Sequence, residues 1–479
     1  MKSLYKKLKE YSESDYYGFH MPGHKRNLCF SQVGLPYEID ITEIEGFDDL
    51  HHPQGILKEL QKRASRIYHA QETAVLINGS TAGILSAILG VTEEGDKILI
   101  ARNCHKSVYH AVVLNKLIPI YIYPEFYPDK DLNGEIDPEA VQKMLQEIPN
   151  IRAVVITSPT YDGVLSDVAK ISAVVHQYKI PLVVDEAHGA HFGFHPYFPE
   201  NANQKGADIV IHSLHKTLPS LTQTALLHKN GSIVDWQRVC YYLDMLQTSS
   251  PSYVLMASID VCISKIEEKG AEYFEDYVEL LKETRKELQK LKKLSLQQTR
   301  EYDLSKIVIS ARDTEYTGKD IYNILLKKYH LQMEMAAGSY VLGMTSVADT
   351  PEGMQRLHSA LLEIDPNIVL KESKNSRKKM TQSYLPKLDR KYTSAELRKK
   401  IDMSKRDRNT GNLKSIAWEI SEGYVSAEYA YIYPPGIPLI VPGEQISKEV
   451  QLSLYKFREL GFQIQGLKKN GKIEVWIDA

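Results

Sequence analysis

Ser213-Leu214-His215-Lys216 stands at the end of an apolar run from Ala207 to Ile211, and Asp185-Glu186-Ala187-His188 closes another, Ile180 to Val184. A lysine and a carboxylate, each just past a short β-branched run, imply two neighbouring strands ending at one crevice. Open α/β sheets bind their ligands at that edge. An unprotonated lysine there can form an imine with an aldehyde cofactor, and an aspartate can hold a pyridine nitrogen protonated. Together they point to pyridoxal phosphate. A buried Asp–Lys ion pair without chemistry is the competing reading, but such pairs are costly to bury.

Outward from these stretches, residues 56–229 alternate apolar runs with helical segments. The strands expected are Thr73–Ile77, Lys97–Ala101, Ile118–Tyr123, Ala153–Thr157, Ile180–Val184, Ala207–His212 and Thr224–His228, with helices such as Thr81–Gly90, His105–Leu114, Pro138–Gln146 and Asp167–Tyr178 between them. That rhythm means an α/β domain with a mostly parallel sheet. Asn78-Gly79-Ser80-Thr81-Ala82-Gly83 joins a strand to a helix, where small residues and a helix N-terminus suit an anion. Ser80 and Thr81 could bind a phosphate, although an ordinary Ser/Thr N-cap reads the same way. Arg102-Asn103-Cys104-His105-Lys106-Ser107 begins at the next strand end, where an imidazole can stack on a flat ring or carry a proton. His105, Asp185 and Lys216 would then face the same side of one sheet.

His188, His191 and His195 follow Asp185 at spacings that could suit a metal. Gly189, Gly193 and Pro196 interrupt any continuous helix there, so no metal is assigned.

The 479 residues exceed what one core can serve, and a net charge of −2 gives no general case for nucleic acid or an anionic membrane. Cys29, Cys104, Cys240 and Cys262 form no CxxC pair, which fits a reducing compartment. The N-terminus, MKSLYKKLKEYSESDYY, has no apolar signal-peptide core, and Ala74–Val91 is interrupted by polar turn residues, so a cytoplasmic protein is expected. The chain divides into an arm (1–55), a cofactor-binding major domain (56–255), linker helices and a small α/β domain (256–370), a basic linker (371–408) and a C-terminal α+β domain (409–479). Tyr253–Glu268 and Glu272–Lys293 read as two long helices.

Seven motifs in one order resemble the fold-type-I, pyridoxal-phosphate-dependent decarboxylases of ornithine, lysine and arginine: Phe19–Lys25 (FHMPGHK), Asn78–Thr81, Arg102–Ser107, Pro159–Gly163 (PTYDG), Asp185–His191, Ser213–Lys216 and Tyr433–Glu444 (YPPGIPLIVPGE). The resemblance implies Lys216 as Schiff-base lysine, Asp185 on the pyridine nitrogen, His105 and Ala187 on the two ring faces and His188 near the phenolic oxygen. It also implies Ser80, Thr81 and Ser213 on the phosphate, with His215 beside the lysine. Similar enzymes share their sites between two subunits, so Ser249, within Thr248–Ser252, would reach a partner's phosphate in a homodimer. The chain starts almost at the family's arm, which resembles the short class without an N-terminal wing domain.

The implied reaction releases CO2 from a basic amino acid and yields a polyamine-type amine, a proton returning from Lys216 or His215. The substrate's distal cation needs anionic contacts, for which Glu43, Glu45, Asp48 and Asp49 of the arm are candidates. The alternatives are another fold-type-I reaction, such as an aminotransferase or aldolase, and a non-catalytic cofactor-binding regulator. No helix-turn-helix-like segment favours the last.

Overall fold

The apolar runs form strands and the segments between them form helices in the computed structural model of the protein, which describes residues 3–14, 22, 34–371, 385–406, 410–432, 436–459, 464–469 and 471–478. Phe19–Lys25 (apart from Pro22), residues 372–384 and 407–409 of the basic stretch, and Tyr433–Pro435 lie outside the described residues. Every strand and helix expected between residues 72 and 229 is present with ends within two residues. The chain folds as two compact units, Met1–Val91 with Val168–Leu281 and Thr345–Thr350, and Thr92–Asp167 with Lys282–Met344 and Pro351–Ala479.

In the first unit, Leu182–Asp185 runs parallel to Ile209–His212, with Asp185 opposite Ile211. Ala225–Lys229 is antiparallel to Ile209–His212, and Glu72–Leu76 is antiparallel to Ala225–Lys229. Three of these four strands therefore point one way, and turns that carry the candidate residues follow their C-terminal ends. The helix Gly79–Val91 is apolar almost all round because it is covered on several sides. It lies so close to the sheet that a Cβ on Gly83 would stand 2.6 Å from Leu76 Cδ1 and force that side chain to shift.

The arm packs on the same unit. Helix Leu4–Ser12 is capped by the Ser3 hydroxyl and buries Leu4 and Leu8 completely. Phe47 sits edge-on to Tyr11 and Tyr253, with ring centroids 5.3 and 6.5 Å away. The two long helices expected after residue 252 are one element, Tyr253–Leu288, broken only where Lys269 leaves the helical region at φ −144°. Among the described residues no helix is long and apolar enough to cross a membrane.

In the second unit, Lys97–Ala101 is parallel to both Ile118–Ile122 and Ile151–Thr157. A separate antiparallel sheet is built from Ser295–Gln297, Lys306–Ser310, Tyr340–Met344 and Met335–Ala336. The C-terminal part has two three-stranded antiparallel sheets around a core that includes Trp418, Ile440, Leu454 and Val475. Part of the basic stretch is packed rather than solvated: helix Ser394–Arg406 buries Leu397 and Ile401 against Val425 and Trp476.

Arg102, the first residue of the RNCHKS motif, is buried in this unit. Its guanidinium donates to the Pro438 carbonyl at 2.6 Å, the Leu439 carbonyl at 3.2 Å and Glu444 Oε2 at 3.2 Å. Glu444 belongs to the motif at the other end of the chain, so two motifs far apart in sequence meet as one ion pair. Removing one partner leaves the other charge buried and uncompensated. Arg102→Ala should therefore lower stability by about 3–5 kcal/mol, read as a fall in the denaturant midpoint. A midpoint unchanged from the parent would refute this.

Candidate active site

The turn after Glu72–Leu76 brings the first candidates. Gly79 has φ +73°, a conformation glycine adopts without strain, and its N–H donates to the Gln223 carbonyl at 2.9 Å. Next in sequence to Gln223, the Thr224 carbonyl accepts the Leu214 N–H at 3.1 Å and His215 Nδ1–H at 2.9 Å. Two adjacent carbonyls thus tie the Ser80–Thr81 turn to the Ser213–Lys216 turn. The Gln247 side chain supports this edge: Oε1 accepts the Ile77 N–H at 2.9 Å and Nε2 donates to the Val75 carbonyl at 3.3 Å. Thr248 N–H then donates to Asn78 Oδ1 at 3.2 Å, which sets the exposed Thr248-Ser249-Ser250 hydroxyls beside the same turn.

Lys216 is half-buried on the short helix Leu214–Thr217, and its Nζ lies 2.9 Å from His188 Nε2. Asp185 is buried at the end of the neighbouring strand, with Oδ1 accepting the Ala187 N–H at 3.2 Å. Burial pushes the Asp185 carboxyl above the usual carboxylate range, while the Lys216 charge and the Ala187 N–H pull it back. His215 is held below the ordinary imidazole value by burial, its bond to Thr224 opposing and the charge of Lys216 adding to the fall. With Nδ1–H given to Thr224, neutral His215 keeps Nε2 as its proton acceptor.

Ser213 is fully buried, and its hydroxyl has no hydrogen-bond partner among the described residues. A buried hydroxyl without a partner is costly in a protein interior, and it fits an oxygen of a bound phosphate. The residues present suit a pyridine aldehyde phosphate: a lysine, a buried carboxylate, an imidazole, and serine and threonine hydroxyls at a helix N-terminus.

The structure brings Ser80, Thr81, Asp185, Ala187, His188, Ser213, His215 and Lys216 into one unit and links their turns. His105 belongs to the second unit, where it caps helix Lys106–Leu114 and its Nδ1 accepts the Ser107 N–H at 3.3 Å. The three histidines weighed for a metal go separate ways. His188 meets Lys216, His191 packs on Phe192 and Phe198, and His195 Nε2 lies 3.0 Å from Glu275.

In the arm, the Asp48 carboxylate is engaged by backbone N–H groups of Asp49, Gln54, Gly55 and Leu57 at 2.8–3.1 Å. Burial raises its pKa, but these four donors outweigh that and leave it below the usual range. Asp49 accepts from the His51 N–H at 2.9 Å, whereas Glu43 and Glu45 are exposed. The residues that sequence reading missed are Gln223, Thr224 and Gln247. Two of them act through backbone carbonyls, which leave no side-chain signal; Gln247, one residue before the Thr248–Ser252 segment, could have been noticed as a polar residue closing an apolar helix.

Residues 2–328 match the family description "Orn/Lys/Arg decarboxylase, major domain", and residues 387–474 match "Orn/Lys/Arg decarboxylase, C-terminal domain". The arginine decarboxylase of Bacillus subtilis (strain 168) is 31% identical over 477 residues, covering 97% of this chain and 95% of that protein. The uncharacterized protein YaaO of the same organism is 34% identical over 482 residues, covering 97% and 96%. Among solved structures, the lysine decarboxylase LdcF of Francisella novicida superposes with a TM-score of 0.82 at 20% identity, covering 99% of this chain and 81% of that one. The α/β fold is that of the fold-type-I enzymes, with a mostly parallel major sheet. The chain belongs to the Orn/Lys/Arg decarboxylase family.

Proposed function

We propose that this protein is a pyridoxal-phosphate-dependent decarboxylase whose basic amino-acid substrate is arginine. The observation that carries the chemistry is the pairing of Lys216 Nζ with His188 Nε2 at 2.9 Å, beside a buried Asp185 and the Ser213 hydroxyl, which has no partner among the described residues. The choice of arginine rests on the name of the B. subtilis relative, which matches over nearly the whole chain.

When bound, the cofactor supplies an electron sink for the carbon that loses CO2. Lys216 would hold it covalently through Nζ. Asp185 would hold the proton on the ring nitrogen, and His188 Nε2 lies at hydrogen-bond distance from the lysine nitrogen. Ser80, Thr81 and Ser213 would hold the phosphate at the N-terminus of helix Gly79–Val91, and Ala187 would pack against the ring, a role the family resemblance also gives His105. His215, neutral at rest, would take a proton from solvent on Nε2 and pass it to the α-carbon. With Asp48 engaged by the backbone, the exposed Glu43 and Glu45 are the arm carboxylates suited to the guanidinium, with Asp49 beside them. The protein works in the cytoplasm as a homodimer, the Thr248–Ser250 hydroxyls, Ser249 foremost, contributing to the partner's phosphate site.

The test is CO2 release by the purified protein with pyridoxal phosphate from arginine, lysine and ornithine in parallel. Release from arginine, lost without cofactor, is expected. Release only from lysine or ornithine would overturn the substrate. No release, with consumption of a 2-oxo acid instead, would overturn decarboxylation in favour of transamination.

A further inference from the structure

The face of the sheet opposite Asp185 holds a chain of buried polar groups that the reaction does not use. Alternate side chains of a strand point to opposite faces, so Glu186 turns away from Asp185. Its Oε2 lies 2.7 Å from His212 Nε2, His212 Nδ1 lies 3.0 Å from His228 Nε2, and His228 Nδ1 lies 2.8 Å from Thr73 Oγ1. Thr73 meets the half-buried Ser65 hydroxyl at 2.9 Å. Glu186, His212, His228 and Thr73 are all buried, and Tyr68 covers both imidazoles with ring centroids 4.6 and 4.9 Å away. Register explains the geometry: Thr73 is opposite His228, which is opposite Val210, two residues from His212 on the same face.

We propose that Glu186, His212 and His228 are positioning residues for the cofactor, forming a single proton-sharing string whose polarity is set by one proton on Glu186. With that proton present, Glu186 donates to His212 Nε2, His212 Nδ1–H donates to His228 Nε2, and His228 Nδ1–H donates to Thr73, which donates to Ser65. When one proton leaves to solvent, every bond reverses: Ser65 donates to Thr73, Thr73 to His228 Nδ1, His228 Nε2–H to His212 Nδ1, and His212 Nε2–H to the Glu186 carboxylate. Both imidazoles stay neutral in either state. The string joins strands Glu72–Leu76, Ala225–Lys229 and Ile209–His212 to the residue after Asp185; the first and third of these strands, and the strand that closes on Asp185, end in the candidate turns, and Ala225–Lys229 begins directly after Thr224.

Besides the imidazoles, the charged or titratable groups facing Glu186 are Lys205, His191 and the Tyr68 phenol, with Cys262 against Tyr68. Burial pushes the Glu186 carboxyl up to about 8, against the pull of the Ala202 N–H, Lys205 and His191. The string is therefore uncharged at neutral pH and anionic above about 8. A buried negative charge then weakens the hold on an anionic phosphate.

This inference rests on the cofactor reading above, and two measurements separate them. The dissociation constant for pyridoxal phosphate, titrated from about pH 6.5 to about pH 9.5, should rise about tenfold more in the parent than in Glu186→Gln, whose amide keeps hydrogen bonds to His212 and the Ala202 N–H but cannot ionise. In the parent, imidazole 15N shifts of His212 and His228 should pass from Nδ1–H to Nε2–H over the same range, a readout that needs neither variant nor cofactor. Superimposable binding profiles, or tautomers that never change, would overturn the string while leaving the cofactor reading intact. A parent that binds no pyridoxal phosphate at any pH would overturn both.

Discussion

Lys216→Ala is expected to lower turnover by more than about 10³-fold and to abolish the borohydride-trapped cofactor label, because it removes the amine proposed to link the cofactor covalently. The loss is chemical rather than structural. Lys216 is half-buried on a four-residue helix, so truncating it opens no core cavity, and the melting temperature should stay close to the parent's. A second buried lysine sharpens the test. Lys306 is fully buried in the second unit, but its ammonium faces Asp303 at 3.4 Å and is held as an ion pair. Peptide mapping of the reduced holoenzyme should find the label on Lys216. Full turnover in Lys216→Ala, or label on Lys306, would sink the assignment.

Lys216 and Asp185 could be read from the sequence because each closes a short apolar run, and such runs are strand signals that put the next residue at a sheet edge. The Asn78–Thr81 turn was legible for the same reason, since its small residues stand between an apolar strand and an apolar helix. What joins these turns was not legible. Gln223 and Thr224 act through carbonyls, and the diagonal His212–His228 contact depends on an antiparallel register that no local pattern reveals. Asp48 shows the limit from the other side. In sequence it is one carboxylate among several in an acidic loop, yet its backbone sits at φ +68° and its side chain gathers four N–H groups ahead of helix Ile56–Ile67. Arg102 read as a motif residue, but its partner Glu444 lies 342 positions away, and only the folded chain shows that they form one buried pair.

Asp185→Asn separates what the carboxylate does for the reaction from what it costs the fold. The amide keeps an oxygen for the Ala187 N–H, so the turn survives, but it cannot stabilise a protonated ring nitrogen. Turnover should fall by about 10²–10⁴-fold while Lys216 still takes the cofactor label. Stability should move the other way. Burial holds the folded-state pKa of Asp185 above its unfolded value, so its favourable contribution is present below the unfolded value and is lost as pH rises through the folded one. On the alkaline side of that folded-state value the cofactor-free protein carries an ionised carboxylate that burial disfavours and Lys216 only partly offsets. The cofactor-free Asn variant should melt higher than the cofactor-free parent at alkaline pH, and the difference should shrink as pH falls through the folded-state value. A variant that is both less active and less stable at every pH would assign Asp185 a structural role instead. A gain in stability with the loss of turnover marks a charge kept for chemistry against the preference of the fold.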